Sequence, residues 1–299
     1  MIKIIKFKEK YNNPIVLALG YFDSLHLGHI ALIKRAEEVA VELKAENCVL
    51  TFSSDPSNII SKGKGVVLTA FERLDKLEKL GVNNVLMLDF NEKMRETSGE
   101  DFLKLLIANY DIRAFVCGFD YTFGKNALGN TESLQNFCNE NEIKLYIEEK
   151  KSTGNEKIAT TLIKYYLKNG LIEKANELLY YPYQICGKVI VGRKVGRTLG
   201  FPTINIIPPA EKFPLKIGVY RTHLYLDGEK YSCITNYGSC PTFGESSFTM
   251  ETYIDGFSGN LYGKDICVYF DGFLREDVKF SSPEELKNQL TKDLETIRK

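Results

Sequence analysis

Apolar residues along this chain keep two different rhythms, and the change between them falls near residue 180. Before it, short unbroken apolar runs alternate with longer stretches whose apolar residues recur every three or four positions. The unbroken runs predict buried strands and the spaced ones amphipathic helices. Ile15 to Leu19, Cys48 to Phe52, Asn84 to Leu88, Ala114 to Gly118 and Lys144 to Glu148 are the strands. Ile30, Leu32, Ile33, Ala36, Val39, Ala40 and Leu43 share one helical face. Thr69 to Leu80, Gly99 to Asn109 and Thr131 to Asn141 predict three further helices, with Thr69 as the cap of the first. Strand and helix alternating in this way imply a parallel sheet covered by helices on both faces.

From about Tyr183 the helical spacing disappears. Gln184 to Val191, Gly218 to Leu226, Lys230 to Asn236, Phe248 to Ile254 and Asp265 to Phe270 are short alternating runs punctuated by Gly and Pro. That is the pattern of a small antiparallel barrel. Ser282 as cap and Pro283 in the first turn open a last helix running towards Ile297. Two domains follow, 1–182 and 183–299, with no low-complexity linker and no internal repeat.

A length of 299 residues agrees with two cores. Lys+Arg and Asp+Glu both total 39, so no global field favours a polyanion and any anion site must be local. No basic stripe interleaved with aromatics points to nucleic acid. No run reaches the length of a membrane span, and the opening Met1 to Lys6 alternates like a strand rather than like a secretion signal. The seven cysteines (Cys48, Cys117, Cys138, Cys186, Cys233, Cys240, Cys267) are dispersed, odd in number and mostly inside apolar runs. They are expected to be reduced, buried thiols in a cytoplasmic protein. The sequence leaves the oligomeric state open.

Candidate chemistry begins after the first strand, in Gly20-Tyr21-Phe22-Asp23-Ser24-Leu25-His26-Leu27-Gly28-His29, which holds two of the three histidines. A glycine-bearing turn leading into a helix N-terminus with paired imidazoles suits a polyphosphate, because backbone N–H groups and the helix dipole attract the anion there. The segment resembles the HxGH signature of nucleotidyltransferases. Gly118 to Gly124 carries Phe119, Tyr121 and Phe123, an aromatic wall for a planar ring or simply a loop packed on its own domain. Thr160, Thr161 and Lys164 open a predicted helix and offer hydroxyls and a cation to phosphate. In the second half, Gly196 to Asn205 sets Thr203 and Asn205 two apart on an extended segment, hence on one side. Their hard oxygens suit a Mg²⁺ shared with nucleotide phosphates. Glu251 lies inside a strand pattern, as a solvent-facing carboxylate or a general base.

Together, Gly20–His29, Gly118–Gly124, Ala159–Lys164, Gly196–Asn205 and Asn236–Phe243 resemble, in order and spacing, the motifs of the bacterial bifunctional riboflavin kinase/FAD synthetase family, over essentially the whole chain. The resemblance implies an α/β Rossmann-like nucleotidyltransferase domain followed by an antiparallel β-barrel kinase domain with a C-terminal helix. It implies small-molecule substrates: ATP with riboflavin in the barrel, and ATP with FMN in the α/β domain, with Mg²⁺ as cofactor. For the α/β domain it assigns Gly20, Phe22, Asp23, His26, Gly28, His29, Thr160, Thr161 and Lys164 to ATP, and Asp120, Tyr121 and Phe123 to FMN. For the barrel it assigns Gly187, Gly192, Gly196, Arg197, Gly200, Pro202, Thr203 and Asn205 to ATP, with Thr203 and Asn205 on the metal. Asn236 and Arg275 go to the flavin, and Glu251 is the catalytic base. Two positions depart from the pattern. Ser24 stands where the family has Gly, a strained place for serine if φ there is positive. Lys164 replaces an Arg, losing a planar fork. These departures leave open a riboflavin kinase with a weak or inactive second half, or a flavin-binding regulatory protein.

Overall fold

The computed structural model describes residues 2–60, 65–149, 151–153, 156–192, 195–239 and 248–298. Cys240 to Phe243 of the last motif lie outside the described residues. The chain forms two compact units that part between Thr160 and Thr161.

In the first unit the order is β1 (Lys3–Lys6), β2 (Tyr11–Leu19), α1 (Leu27–Glu42), β3 (Glu46–Phe52), α2 (Ser57–Ile60), α3 (Ala70–Lys79), β4 (Asn84–Leu88), α4 (Glu92–Glu96), α5 (Gly99–Asn109), β5 (Tyr110–Gly118), α6 (Thr131–Glu140) and β6 (Lys144–Glu148), followed by a two-stranded hairpin, β7 (Ser152–Thr153) and β8 (Glu156–Lys157). The six long strands form one parallel sheet in the order β1-β4-β3-β2-β5-β6. Central β2 is buried on both faces, which is why its sequence is apolar without alternation. Val16 and Ala18 pack with α1, while Ile15, Leu17 and Leu19 pack with Phe102, Leu106, Leu134 and Phe137 of α5 and α6. Pro14 is accommodated beside a register shift in the β2–β5 ladder, where a missing N–H breaks no regular pair. Thr69 caps α3 in a reciprocal capping box with Glu72. The strand order turns back between β2 and β5, so a crevice opens beyond the carboxyl ends of those two strands.

The second unit holds α7 (Thr160–Lys168), which starts at the division, then α8 (Ile172–Leu178), β9 (Gln184–Ile190), α9 (Val195–Thr198), β10 (Thr203–Ile206), β11 (Gly218–Leu226), β12 (Glu229–Ser239), β13 (Phe248–Ile254), β14 (Asp265–Arg275) and α10 (Pro283–Ile297). Its six strands close an antiparallel barrel in the order β10-β13-β12-β11-β14-β9, and β9 pairs back with β10. Inside, Thr222, Thr235 and Thr252 satisfy one another through hydroxyl contacts of 2.8 and 2.9 Å. Outside, Leu290, Leu294 and Ile297 of α10 pack on Phe201, Val219, Ile234 and Tyr253.

The compact units part near 160, with α7 and α8 on the barrel side, whereas the sequence reading sets its domain boundary at 182. Asn176 of α8 donates to the Phe270 carbonyl and accepts from the Tyr183 N–H, both at 2.8 Å. Helical periodicity alone assigns these helices to the α/β half. One expectation is corrected, and it concerns the thiols. Cys186 and Cys267 are joined in a disulfide across β9 and β14, where they are register partners 81 residues apart in sequence. Linear spacing carries no sign of such a cross-strand pairing. Cys48, Cys117, Cys138 and Cys233 are free and buried as expected. Burial pushes the Cys48 and Cys117 thiols up to about 12 and Cys138 to about 11, so they are poor nucleophiles.

Candidate active sites

The crevice of the first unit is a cavity of about 840 Å³, well inside the range of small-molecule sites. Gly20, Tyr21, His26, Gly28 and His29 line one side, and Gly118 to Gly124, Lys157 and Thr160 line another. His26 is the N-cap of α1, and its Nδ1 accepts the His29 N–H at 3.1 Å. An accepting Nδ1 places the proton of the neutral ring on Nε2, which is left as a donor. The two imidazoles stack, with centroids 3.6 Å apart and planes within 10°. Gly28 makes the stack possible, since a Cβ there would stand 3.0 Å from the His26 ring. Phe22 meets the His29 ring edge-on at 5.2 Å. The His29 Nδ1 is buried and has no hydrogen-bond partner among the described residues.

Both histidines are uncharged at neutral pH. Burial holds His26 down to about 4 and His29 well below its usual 6.5, where His26 beside it adds to the effect. The unfolded chain takes up a proton at His26 near 6.5 and the folded chain only near 4. More protons are therefore bound by the unfolded state across that window, and stability falls as pH drops from 6.5 towards 4, by about 3 kcal/mol for His26 alone. Urea unfolding of His26→Asn, which keeps a capping side chain, is expected to lose that part of the pH slope. A slope equal to the wild type would contradict the assignment.

Other predicted residues are placed differently. Phe22, fully buried with φ 58°, is part of the core rather than of the cavity wall. Asp23 is also buried, and its Oδ1 accepts the N–H groups of Val67 and Leu68 at 2.8 and 3.3 Å, tying the turn to the chain before α3. The left-handed residues of the turn are Phe22 and Leu25, not Ser24, so serine carries no strain of that kind. Its Oγ instead lies 2.9 Å from the Thr160 hydroxyl, joining the turn to the start of α7. Thr161 and Lys164 follow on α7 in the second unit, and the Lys164 ammonium stands 5.7 Å from the centre of the Phe213 ring. In the aromatic loop Tyr121 and Phe123 stack at 5.6 Å, and exposed Asp120 is ion-paired with Lys157. Lys157 also sits 4.8 Å over the Phe119 ring. Tyr21 and Lys157 were not singled out from the sequence. Only the hairpin β7–β8 brings the lysine to the loop, and a single charged residue in a polar stretch gives no signal of that.

The second site is a row on the outside of the barrel. Register places Asn205 of β10 opposite Glu251 of β13, Glu251 opposite Asn236 of β12, Asn236 opposite Val219, and Val219 opposite Arg275. Side chains directly opposite have Cβ atoms about 5 Å apart, so an amide, a carboxylate and a second amide stand side by side. Glu251 is exposed, whereas the Asn236 Oδ1 is buried without a partner among the described residues. Thr203 lies two residues before Asn205 on the same side of β10. Gly192, just beyond β9, lets the chain pass against the Asn205 amide, for a Cβ there would come within 2.4 Å of it. Gly196 and Arg197 lie in α9, with Arg197 exposed, and Gly200 and Pro202 lead into β10. Gly187 lies within β9. Arg275 ends β14.

Among the described residues no group of three His, Cys, Asp or Glu side chains gathers into a metal site. The hydroxyl of Thr203 and the amide oxygen of Asn205 nevertheless fit a Mg²⁺ bound jointly with nucleotide. That ion takes few protein ligands, prefers hard oxygens and draws most of its charge balance from phosphates. No helix of the described residues is long and apolar enough to cross a membrane.

Comparison with known proteins agrees with this two-site arrangement. A family model described as FAD synthetase matches residues 8–162, and one described as riboflavin kinase matches residues 179–299. A bifunctional riboflavin kinase/FMN adenylyltransferase of Listeria monocytogenes is 34% identical over 95% of this chain and 91% of its own. That of Bacillus subtilis is 33% identical over 93% and 90%. A Streptococcus pneumoniae structure solved under the name macrolide-efflux protein superposes with a TM-score of 0.90 at 28% identity, covering 99% of both chains. With one family spanning the cavity-bearing α/β unit and the other the barrel, this chain belongs to the bifunctional riboflavin kinase/FMN adenylyltransferase family.

Proposed function

We propose that the barrel phosphorylates riboflavin to FMN with ATP and that the α/β unit joins FMN to a second ATP, giving FAD and pyrophosphate. The observation that carries the kinase half is the row Asn205–Glu251–Asn236, in which a carboxylate is flanked by neutral polar groups on a rigid strand. Glu251 accepts the proton of the ribityl 5′-hydroxyl as that oxygen attacks the γ-phosphate. Asn236 offers its unpartnered amide oxygen to the same substrate. Thr203 and Asn205 hold Mg²⁺, which when bound neutralises charge on the transferred phosphoryl group.

In the α/β unit no protein nucleophile is required, because the FMN phosphate itself attacks the α-phosphate. Its residues position the substrates and stabilise charge. The Nε2–H of His26, the stacked His29 ring and the N-terminus of α1 meet the ATP phosphates. Tyr121 and Phe123 flank the flavin, while Lys157 neutralises phosphate beside Asp120. Because the site cations are few and the imidazoles neutral, the charge balance arrives largely with Mg²⁺-bound nucleotide. The domains proposed for this division of labour are 1–182 and 183–299.

The purified protein tests this reading in two separate incubations with ATP and Mg²⁺. Riboflavin is expected to yield FMN, and supplied FMN is expected to yield FAD with one pyrophosphate released per FAD. Absence of FAD by chromatography would remove the adenylyltransferase half of the reading, and absence of FMN the kinase half.

A further inference from the structure

Arg275 does not stand alone at the end of β14. Its Nε donates to both carboxylate oxygens of Asp293 at 3.1 Å, its Nη2 to Oδ2 at 2.8 Å, and its Nη1 to the Glu276 carbonyl at 3.1 Å. Asp293 lies on α10, is only 5% exposed, and accepts a further bond from Gln289 Nε2 at 2.8 Å. The Phe280 ring lies 5.9 Å from the guanidinium carbon.

We propose that Asp293 is a positioning residue of the kinase site, aiming the Arg275 guanidinium at the flavin. The inference rests on the reading of Arg275 as a flavin contact. Three strand spacings separate Glu251 from Arg275, about 14 Å at about 4.8 Å each, with Val219 between them covered by α10. A flavin whose ribityl end meets Glu251 is long enough to bring the edge of its ring system towards Arg275 beside that helix.

The described bonds occupy three of the guanidinium's N–H groups, on Nε, Nη2 and Nη1. The remaining donors are fixed in direction by the planar fork and fit the carbonyl and ring-nitrogen acceptors of a flavin. A free arginine samples many rotamers and loses that freedom on binding, whereas this one is already ordered. The competing account is an ion pair that merely pins α10 to the barrel. The helix already has an apolar anchor in Leu290, Leu294 and Ile297, so the pair is not needed for docking. What separates the two accounts is dependence on flavin.

The test uses full-length Arg275→Gln, Asp293→Asn and the double variant, with FMN adenylylation in the same preparation as internal control. Asp293→Asn is expected to raise the KM for riboflavin about tenfold, the scale on which losing a supporting partner acts. The KM for ATP and the FMN adenylylation rate stay as in the wild type. The double variant is expected to be no worse than Arg275→Gln alone, because the two residues act as one unit. A normal riboflavin KM in Asp293→Asn beside a raised one in Arg275→Gln overturns the proposal. A normal KM in Arg275→Gln overturns instead the assignment of that arginine to flavin. If Asp293→Asn does not fold, Gln289→Ala takes its place: a riboflavin KM raised about threefold supports the proposal, and an unchanged one overturns it.

Discussion

Glu251→Ala is expected to abolish FMN formation from riboflavin, a loss of about 10³-fold, with FAD formation from supplied FMN untouched. The size follows from the position. Glu251 is a carboxylate on the outer face of β13 between two asparagines, so no neighbouring strand residue in the row supplies a substitute base. Because the residue is exposed and outside the barrel core, alanine there leaves no buried cavity or unpaired buried charge. Glu251→Gln separates shape from basicity: it keeps the volume and is expected to be as inactive as alanine. Both products are followed by chromatography in parallel reactions. Equal loss of both activities would defeat the modular assignment, and a fully active glutamine variant would remove Glu251 as base.

The converse is expected for His29→Ala, with FAD formation reduced by about 10²-fold or more and riboflavin phosphorylation retained. His29 stacks on His26 at 3.6 Å and lies against Phe22. Its loss therefore removes one ring of the stacked pair, while the cap bond from the residue-29 backbone N–H to the His26 Nδ1 persists. The defect is expected in the rate with saturating FMN, since Tyr121 and Phe123 are unaffected. Retained FAD synthesis at the wild-type rate would exclude the imidazole pair from the reaction.

Much of this arrangement was legible in the residues because local and global signals agree. The apolar runs of β2, β3 and β5 and the helical stripe of α1 predict the parallel sheet, and the short alternating runs predict the barrel. Ser282-Pro283 marks the last helix to the residue. His26 and His29 fall on the cavity, and Asn205, Glu251 and Asn236 fall on one barrel row with Thr203 two residues along β10. What stayed hidden depends on contacts distant in sequence. Asp23 reads as a site carboxylate, and its Oδ1 also accepts from two backbone N–H groups more than forty residues away. Ser24 is unstrained because the turn puts its left-handed residues at Phe22 and Leu25, a division no single position announces. Lys157 meets the aromatic loop from the end of β8, and Asp293 reaches Arg275 from α10. Register makes these neighbours, and register is the one quantity that hydrophobic rhythm does not encode beyond its parity.

The bond between Cys186 and Cys267 divides the kinase site by connectivity as well as by geometry. The segment between the two cysteines is a closed covalent ring that contains Gly192, Thr203, Asn205, Asn236 and Glu251, so the groups proposed for the nucleotide, the proposed base and one of the two proposed flavin contacts are on it. Arg275 and Asp293 lie beyond it on an open-ended tail. While the bond is intact, a single chain break within the ring leaves both fragments covalently joined, whereas a break between Cys267 and Arg275 leaves Arg275 and α10 held by non-covalent contacts alone. The two ends of one row of side chains are thus held with unequal permanence.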